Sequence, residues 1–261
     1  MGQLNLQKEG MAQSMKKSFI SIFSISLVII LASFPGKVHA VKEFKISSYG
    51  AGVQIWFEAE AFDERIPDSD QYFKVTGQKT TPKAPAGAFG EAVTRSGGAG
   101  GRISWEFDTK KVDGKRGVWK FWARVYNPNN MSDYMLVKGD PGDDKIPDVP
   151  PFPGGDAVAP FDNTDDRIFE ATTATWGWWG NSEGSTKELQ DGINTMYIFH
   201  RQGDATVFWD VFMWTDDAAY NPLVSGDEDY RNAKPMKAGI IAVQPLEKLT
   251  TAWGSIKDIQ K

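Results

Sequence analysis

From Gln54 to Trp214 the chain consists of short segments typical of β-strands, separated by turn residues. In Val118–Tyr126, the clearest of them, every second residue from Trp119 to Val125 is apolar, and the residues between make a mixed face of charged and aromatic side chains. The other segments with the composition of strands are Gln54–Ala61, Tyr72–Val75, Ala92–Ser96, Gly101–Phe107, Asp133–Val137, Arg167–Thr172, Thr195–Arg201 and Ala205–Trp214. Short strands at regular spacing, separated by Gly, Pro, Asn and Asp, predict an all-β sandwich or barrel across residues 41–245.

The first forty residues differ from the rest and predict a secretory signal peptide. Two lysines precede the apolar run Phe19–Phe34, and Val38-His39-Ala40 offers small residues at the usual cleavage spacing. The run falls short of the ~20 residues that span a bilayer, so we expect cleavage after Ala40 and export to the periplasm, the cell surface or the medium. An uncleaved anchor is the alternative. The polar residues ahead of Met15 leave open whether Met1 or Met15 is the start.

Two further stretches lie between or after the predicted strands. Residues 138–168 are dense in Asp, Pro and Gly and predict a long acidic loop insertion, solvated rather than a second ion site. Thr215–Lys237 has the composition of a polar loop, and Gly239–Val243 that of a last strand. Residues 246–261 predict a short C-terminal helix, since Pro245 suits a first helical position and apolar residues then recur at helical spacing. We expect this helix to cap an open end of the sandwich; a sorting or docking tag is the alternative.

The composition limits the classes of function. The chain has no cysteine, so it forms no disulfide and no thiolate metal site. The formal net charge is −5 and the basic residues are scattered, which argues against nucleic acid, because neutralising phosphates requires a basic stripe. No second long apolar run follows the leader, so we expect no membrane span in the mature chain. All ten tryptophans lie in the mature part, and exposed rings can hold the flat apolar faces of sugars.

Three acidic residues in predicted strands form a candidate metal site. Glu58 and Glu60 project to the same side of one strand, about 7 Å apart along the backbone. Two such carboxylates repel each other and lose hydration unless a cation lies between them. Asp210, on a distant strand, would add a third carboxylate, and Ca²⁺ is an ion that prefers such a set of oxygen ligands. A pair of exposed glutamates on an edge strand, without any ion, is the alternative.

The segment Trp176-Gly177-Trp178-Trp179-Gly180-Asn181 is the other candidate site. Three tryptophans between glycines in a predicted loop are hard to bury together, so we expect one or two exposed rings. Such rings would stack on a sugar, and Asn181 would hydrogen-bond its hydroxyl groups. The alternative is that Trp176 and Trp178 close the edge of the sandwich.

The sequence contains no convincing set of catalytic residues, and we predict that the protein is not an enzyme. His200 is the one histidine of the mature chain, and it stands on a predicted strand without a nucleophile elbow, which is typical of a packed structural residue. Glu58 and Glu60 are poor glycosidase candidates, because neighbours on one strand cannot flank a scissile bond from opposite sides.

The order of these motifs resembles the calcium-binding β-jelly-roll carbohydrate-binding modules of families 6 and 35, which are galactose-binding-domain-like. The resemblance covers residues 54–214 and rests on Glu58-Ala59-Glu60, Trp105-Glu106-Phe107 behind a glycine-rich turn, Trp119-Lys120-Phe121-Trp122-Ala123-Arg124-Val125, Asp191-Gly192-Ile193-Asn194-Thr195 and Asp210. It implies a two-sheet β-sandwich (jelly roll). It also implies a structural calcium ion, Ca²⁺, at Glu58, Glu60 and Asp210. The nearest match to the family's sugar cleft is Trp178, Trp179 and Asn181. The acidic insertion and the C-terminal segment depart from the family pattern.

These observations together predict a secreted, non-catalytic carbohydrate-binding module with a structural calcium ion, whose partner is a polysaccharide or another glycan. A structural or adhesive surface module that makes protein contacts without sugar affinity is the chief alternative. A polysaccharide-degrading enzyme is the third.

Overall fold

The computed structural model describes residues 43–77, 79–96, 100–139, 145–147, 161–162, 165–170, 172–180, 182–202 and 206–236. The predicted signal peptide, most of the acidic insertion, the strand Gly239–Val243 and the helix at 246–261 lie outside these ranges and stay predictions. In the part of the chain that is described, no helix is long and apolar enough to cross a membrane.

Strands are the predominant regular secondary structure of the described chain. In chain order they are β1 (Lys45–Ser47), β2 (Gln54–Glu58), β3 (Glu64–Ile66), β4 (Phe73–Thr76), β5 (Ala92–Arg95), β6 (Arg102–Asp108), β7 (Gly117–Asn127), β8 (Asp133–Lys138), β9 (Arg167–Ile168), β10 (Thr173–Trp179), β11 (Thr186–Leu189), β12 (Ile193–Phe199), β13 (Phe208–Thr215) and β14 (Lys234–Pro235). The described helical segments are α1 (Gly226–Asn232) and two short 3₁₀ turns, Thr109–Val112 and Glu183–Ser185.

The strands form two sheets. The larger has nine strands in the order β10-β7-β13-β2-β1-β14, with β11 also paired to β7, and with β5 paired to both β13 and β4. The smaller has five strands in the order β3-β6-β12-β8-β9. Every described strand pair is antiparallel. The predicted all-β, two-sheet fold is therefore confirmed.

The alternation along β7 explains how the sheets pack. Trp119 and Phe121 point between the sheets, into a core that also contains Trp105 of the smaller sheet. Trp122 points the other way and belongs to a second buried cluster on the outer face of the larger sheet. Both faces of the larger sheet are thus covered at its centre. This is why β13 is buried at every position.

Most of the predicted strands are present, but Trp176–Gly180 is not the predicted loop. Residues Thr173–Trp179 form β10, which pairs with β7 along its edge. The flanking glycine permits close packing rather than a flexible turn, because a Cβ on Gly180 would lie 2.4 Å from the Trp122 ring. Composition alone could not distinguish these two uses of glycine.

Two predicted strands are shorter than expected. The strand predicted to reach Ala61 ends at Glu58. The strand predicted for Arg167–Thr172 covers only Arg167–Ile168, before β10 begins separately. The short strands β1, β3, β11 and β14 were not predicted, since segments of two to four residues carry too little alternation to detect.

Thr215–Lys237 was predicted as a polar loop, and this was wrong for part of the segment, which contains α1 and β14. We call residues 216–236 the covering segment, because they turn back over the outer face of the larger sheet. Tyr220 and Tyr230 pack their rings on Trp56, with centroids 6.3 and 6.1 Å away. A seven-residue helix is not stable alone, so this helix depends on tertiary packing that the local pattern does not show.

Candidate functional site

The fold brings the three predicted metal ligands into one cluster. Glu58 is the last residue of β2, and Glu60 follows it in a turn. Asp210 lies on β13, the strand that pairs with β2 and places Val211 opposite Glu58. The N–H of Ala59 donates to the carbonyl oxygen of Asp210 over 2.8 Å, which ties the turn to β13. Residues that are distant in sequence therefore meet because two strands are neighbours in the larger sheet.

The loop between β4 and β5 closes the cluster from one side. The N–H of Phe89 donates to both carboxylate oxygens of Asp210, at 3.1 and 3.3 Å. At the next residue, Gly90, a Cβ would lie 3.0 Å from Oε2 of Glu58 and 3.4 Å from Oε1 of Glu60. The two glutamate carboxylates thus converge on the backbone of Gly90, where little room is left for a side chain.

The surroundings of the cluster disfavour several negative charges. Burial, together with the hydrogen bond and the charge of Glu58, raises the pKa of Glu60 from 4.5 to about 10. Burial also raises the pKa of Asp210 to about 6, although the charge of Arg124 acts in the opposite direction. Oε2 of Glu60 is buried and has no hydrogen-bond partner among the described residues. Burial and the neighbouring carboxylates therefore favour the protonated form of Glu60, and a cation bound beside it would favour the charged form instead.

These oxygens suit a hard divalent cation, but the arrangement is not a completed metal site. Within the described ranges, no group of three or more His, Cys, Asp or Glu side chains is arranged to hold a metal ion. Asp210 is already engaged, because its carboxylate pairs with Arg124 and accepts from the N–H of Phe89. The pair that fits an ion such as Ca²⁺ is Glu58 and Glu60, because the two carboxylates meet at Gly90 and Oε2 of Glu60 has no hydrogen-bond partner among the described residues.

Arg124 joins three elements behind the cluster. Its side chain is buried, forms an ion pair with Asp210, and donates through Nε and Nη2 to the two carboxylate oxygens of Asp227 on α1, at 2.8 and 2.9 Å. The guanidinium lies 4.1 Å from the ring centroid of Phe89 and 5.0 Å from that of Trp176. Burial acts to raise the pKa of Asp227, but the hydrogen bond and the charge of Arg124 outweigh it, and the pKa is lowered.

Helix α1 reaches the carboxylates through Tyr230. The hydroxyl of Tyr230 donates to Oε1 of Glu58, and its ring stacks on Phe89 at a centroid distance of 5.0 Å. Lys45 places its Nζ 3.9 Å from the centroid of the same ring. Burial, followed by the hydrogen bond and the charge of Glu58, raises the pKa of Tyr230 above its ordinary value, so the phenol remains a hydrogen-bond donor.

The predicted sugar-binding tryptophans lie in very different surroundings. Trp178 is only 5 % exposed, and its Nε1 donates to Oδ1 of Asp227 at 2.9 Å, so the expectation of an open ring is wrong for this residue. Trp179 is half-buried and packs against the core between the sheets. Asn181 lies outside the described residues. Trp176, two residues before Trp178 on the same face, is half-buried beside Tyr126.

A cleft of about 270 Å³ opens at a different place on the sandwich. Its lining consists of Phe44, Glu106, Phe107, Asp108, Lys111, Ile193 and Met236. The tryptophan strand β10 contributes no residue to this lining. The cleft therefore lies apart from the tryptophans that the sequence singled out.

Several residues around the cluster were not predicted from the sequence. Arg124 belongs to the mixed face of its predicted strand and to one motif of the family resemblance, but neither assigned it a role. No prediction was made for Phe89, Gly90 or Tyr230. The alternation of β7 is the signal that places Arg124 on the outer face. For the other three no local signal exists, because they lie on a loop and on a short helix.

His200 has the packed environment that the sequence predicted. It is fully buried, with the rings of Tyr72 and Phe73 at centroid distances of 5.7 and 5.6 Å. This surrounding supports the interpretation of His200 as a structural residue.

Comparisons with known proteins return similar structures only. No protein-family model matches the chain, and no curated protein sequence is similar to it. One similar structure is a family 35 carbohydrate-binding module from Clostridium thermocellum, with 14 % identity and a TM-score of 0.39 over 62 % of this chain and 96 % of that chain. Another is the family 35 module of Abf62 from Cellvibrio japonicus, with 13 % identity and a TM-score of 0.35 over 56 % of this chain and 88 % of that chain. A third is the C-terminal family 6 module of the laminarinase LamC from Zobellia galactanivorans, with 11 % identity and a TM-score of 0.35 over 62 % of this chain and 99 % of that chain. These are modules of the two families that the sequence resembles.

Proposed function

We propose that this protein is a non-catalytic carbohydrate-binding module with a structural calcium ion. The observation that carries the proposal is the convergence of Glu58 and Glu60 beside Gly90, with Asp210 on the neighbouring strand, in the two-sheet sandwich that the sequence resemblance implies. Half-buried carboxylates such as Glu58 and Glu60, held close together without enough counter-charge, are unfavourable, and an ion that binds them removes the penalty.

Calcium would be held first by Glu58 and Glu60. These two carboxylates lie against the same glycine, Gly90, and one buried oxygen of Glu60 lacks a hydrogen-bond partner among the described residues. Asp210 is engaged by Arg124 and the N–H of Phe89, but a carboxylate has lone pairs for more than two contacts, so it can also serve the ion. The ion would supply fixed positive charge that holds the end of β2, the following turn and β13 together.

Chelation is expected to lower the melting temperature by roughly 5–10 °C. Calcium at about 100 times its dissociation constant stabilises the folded state by about 2.7 kcal/mol, and a domain of this size loses about 2–4 °C per kcal/mol. Differential scanning calorimetry with calcium and with EDTA measures this shift. Glu58→Gln should abolish the shift, whereas Glu106→Gln, a matched change at an exposed glutamate of β6, should leave it intact. Identical melting curves with and without calcium would contradict the calcium proposal.

The carbohydrate contact is proposed for the edge of the larger sheet, where β10 presents its tryptophans. Trp176 is half-buried, with Tyr126 beside it and the Arg124 guanidinium 5.0 Å from its ring centroid. This ring, rather than the buried Trp178, can offer a face to a sugar. Trp179, the last residue of β10, and Asn181, which follows the strand, remain proposed contacts to the sugar.

Trp176→Ala is expected to weaken glycan binding by roughly 1–3 kcal/mol, which is about 5- to 150-fold in Kd. This range is the one found when an aromatic side chain stacked on a nucleic-acid base is replaced by alanine. A glycan array run with calcium and with chelator first identifies the ligand, and calorimetric titration then compares the variants. Tyr197→Ala, which removes a half-buried ring from the smaller sheet, serves as the control and should bind like the wild type. Equal binding by the Trp176→Ala variant and the wild type would contradict the proposed contact.

A structural or adhesive module without sugar affinity is the second candidate. The specific observation that favours it is the burial of Trp178 under the covering segment, which makes this ring part of the packing. If the folded, calcium-loaded protein retains no glycan on the array, this second function replaces the first.

A further inference from the structure

We propose that Tyr230 couples the carboxylate site to the docking of the covering segment, so that calcium binding and the packing of residues 216–236 support each other. This inference rests on the calcium ion of the proposed function. It adds a positioning residue and a linked conformational change that the three carboxylates by themselves do not imply.

Tyr230 is the point at which the covering segment touches a proposed ligand. It is 3 % exposed, and its hydroxyl donates to Oε1 of Glu58. The other oxygen of Glu58, Oε2, lies against Gly90, where a Cβ would be 3.0 Å away. A buried hydrogen bond to a ligand carboxylate fixes its rotation, which is how groups behind a metal ligand tune the affinity of a site.

The ring of Tyr230 extends the connection to the other carboxylates. It stacks on Phe89 at 5.0 Å with an interplanar angle of 29°. The backbone N–H of Phe89 donates to Asp210, and Gly90 follows directly, against Glu58 and Glu60. One side chain of α1 therefore contacts the site once through its hydroxyl and once through the loop that closes it.

A second connection runs through Arg124. This residue pairs with Asp210 on β13 and with Asp227 on α1. Asp227 also accepts a hydrogen bond from Nε1 of Trp178. Displacement of α1 would leave Arg124 with Asp210 alone, and a tighter ion pair there would compete with calcium for the same carboxylate.

Thermodynamic linkage makes this coupling reciprocal. If the docked segment raises calcium affinity by some factor, calcium raises the docking equilibrium by the same factor. The covering segment packs over an aromatic part of the larger sheet that includes Trp56, Trp122 and Trp178. Loss of calcium is therefore expected to loosen the segment and to admit solvent to this aromatic face.

Two matched tyrosine variants test the inference. Tyr230→Phe keeps the ring stacked on Phe89 and removes only the hydroxyl that contacts Glu58. Tyr220→Phe removes the other phenolic hydroxyl of the covering segment, which donates to Asp229 at 2.7 Å. Both rings pack on Trp56, so the two variants remove similar groups from the same segment.

Isothermal titration with calcium chloride is expected to show about 10- to 100-fold weaker binding for Tyr230→Phe, the range found when a group behind a metal ligand is removed. Tyr220→Phe is expected to bind calcium like the wild type. Equal affinity of Tyr230→Phe and the wild type would overturn the inference while leaving the calcium site standing. No calcium binding by the wild type would overturn the calcium proposal and this inference together.

Hydrogen exchange supplies a measurement that does not depend on affinity. Amides of residues 226–232 in the wild type are expected to exchange at least several-fold faster in EDTA than in calcium. In Tyr230→Phe, the difference in exchange rate between EDTA and saturating calcium should be smaller than in the wild type. In Tyr220→Phe, the difference should be the same as in the wild type. Exchange in residues 226–232 that is indifferent to calcium in the wild type would show that the segment is docked independently of the ion, and would overturn the coupling.

Discussion

Asp133→Ala is expected to destabilise the folded domain by about 3–5 kcal/mol, the loss typical when one partner of a buried ion pair is removed. Asp133 and Arg95 are both fully buried and paired with each other. Asp133 also accepts the backbone N–H of Arg201 at 3.0 Å. Without the carboxylate, Arg95 keeps its charge in the interior with only the carbonyl oxygen of Ser132 as an acceptor in the described structure.

Urea unfolding followed by tryptophan fluorescence measures the effect. Glu64→Ala is the control, since Glu64 pairs with Arg102 but its side chain is 54 % exposed, and such pairs contribute at most about 1 kcal/mol. Adding Arg95→Met to Asp133→Ala removes the isolated charge and should recover part of the lost stability. A loss for Asp133→Ala no larger than that of the control would contradict the interpretation of Arg95 and Asp133 as an interior ion pair.

Trp178→Ala is expected to lose about 3–5 kcal/mol of stability, as buried tryptophans do on truncation. The ring packs edge-on against Trp56 with a centroid distance of 5.5 Å, and its Nε1 donates a hydrogen bond to Asp227 of α1. Truncation leaves a cavity between the larger sheet and the covering segment, and it removes one of the hydrogen bonds that hold α1 in place. In calorimetry this corresponds to a decrease of roughly 6–20 °C in melting temperature.

Trp176→Ala is the matched comparison, because the two residues point to the same face of β10 and only Trp178 is fully buried. We expect its loss of stability to be less than half that of Trp178→Ala. A small loss for Trp178→Ala would mean that the ring is not part of the packing, and would return it to the sugar-binding residues. The pair therefore separates the structural from the binding role of the tryptophan strand.

The predicted strands were confirmed where alternation was long enough to read. Val118–Tyr126 corresponds to β7, and its apolar face enters the core between the sheets, as its pattern indicated. Its mixed face contributes Trp122 to the second buried cluster, which the pattern did not predict. The tryptophan segment was predicted wrongly as a loop, because glycine is common in turns and its second use, close approach to a neighbouring ring, depends on the position of Trp122. Helix α1 was missed because it is short and is stabilised by contacts with residues far away in sequence.

The candidate site divides in the same way. The sequence predicted that Glu58 and Glu60 lie together on one strand; they do lie together, although Glu60 belongs to the turn after β2. Asp210 was predicted as a third carboxylate from a distant strand, and the family resemblance implied the same residue. The ion pair of Asp210 with Arg124 and the hydrogen bond from Tyr230 to Glu58 could not be predicted from the sequence, because each joins residues from different elements.

By itself, the sequence determined the all-β class and most of the strands, because the alternation of side chains along a strand is a local property of the backbone. It also placed Glu58 and Glu60 close together, since only one residue separates them. Only the tertiary structure decided which tryptophans are buried, which partner occupies Asp210 and what covers the outer face of the larger sheet. Burial and ion pairing depend on the neighbours that a residue meets in space, and here those neighbours come from a loop, from β7 and from the covering segment, all distant along the chain.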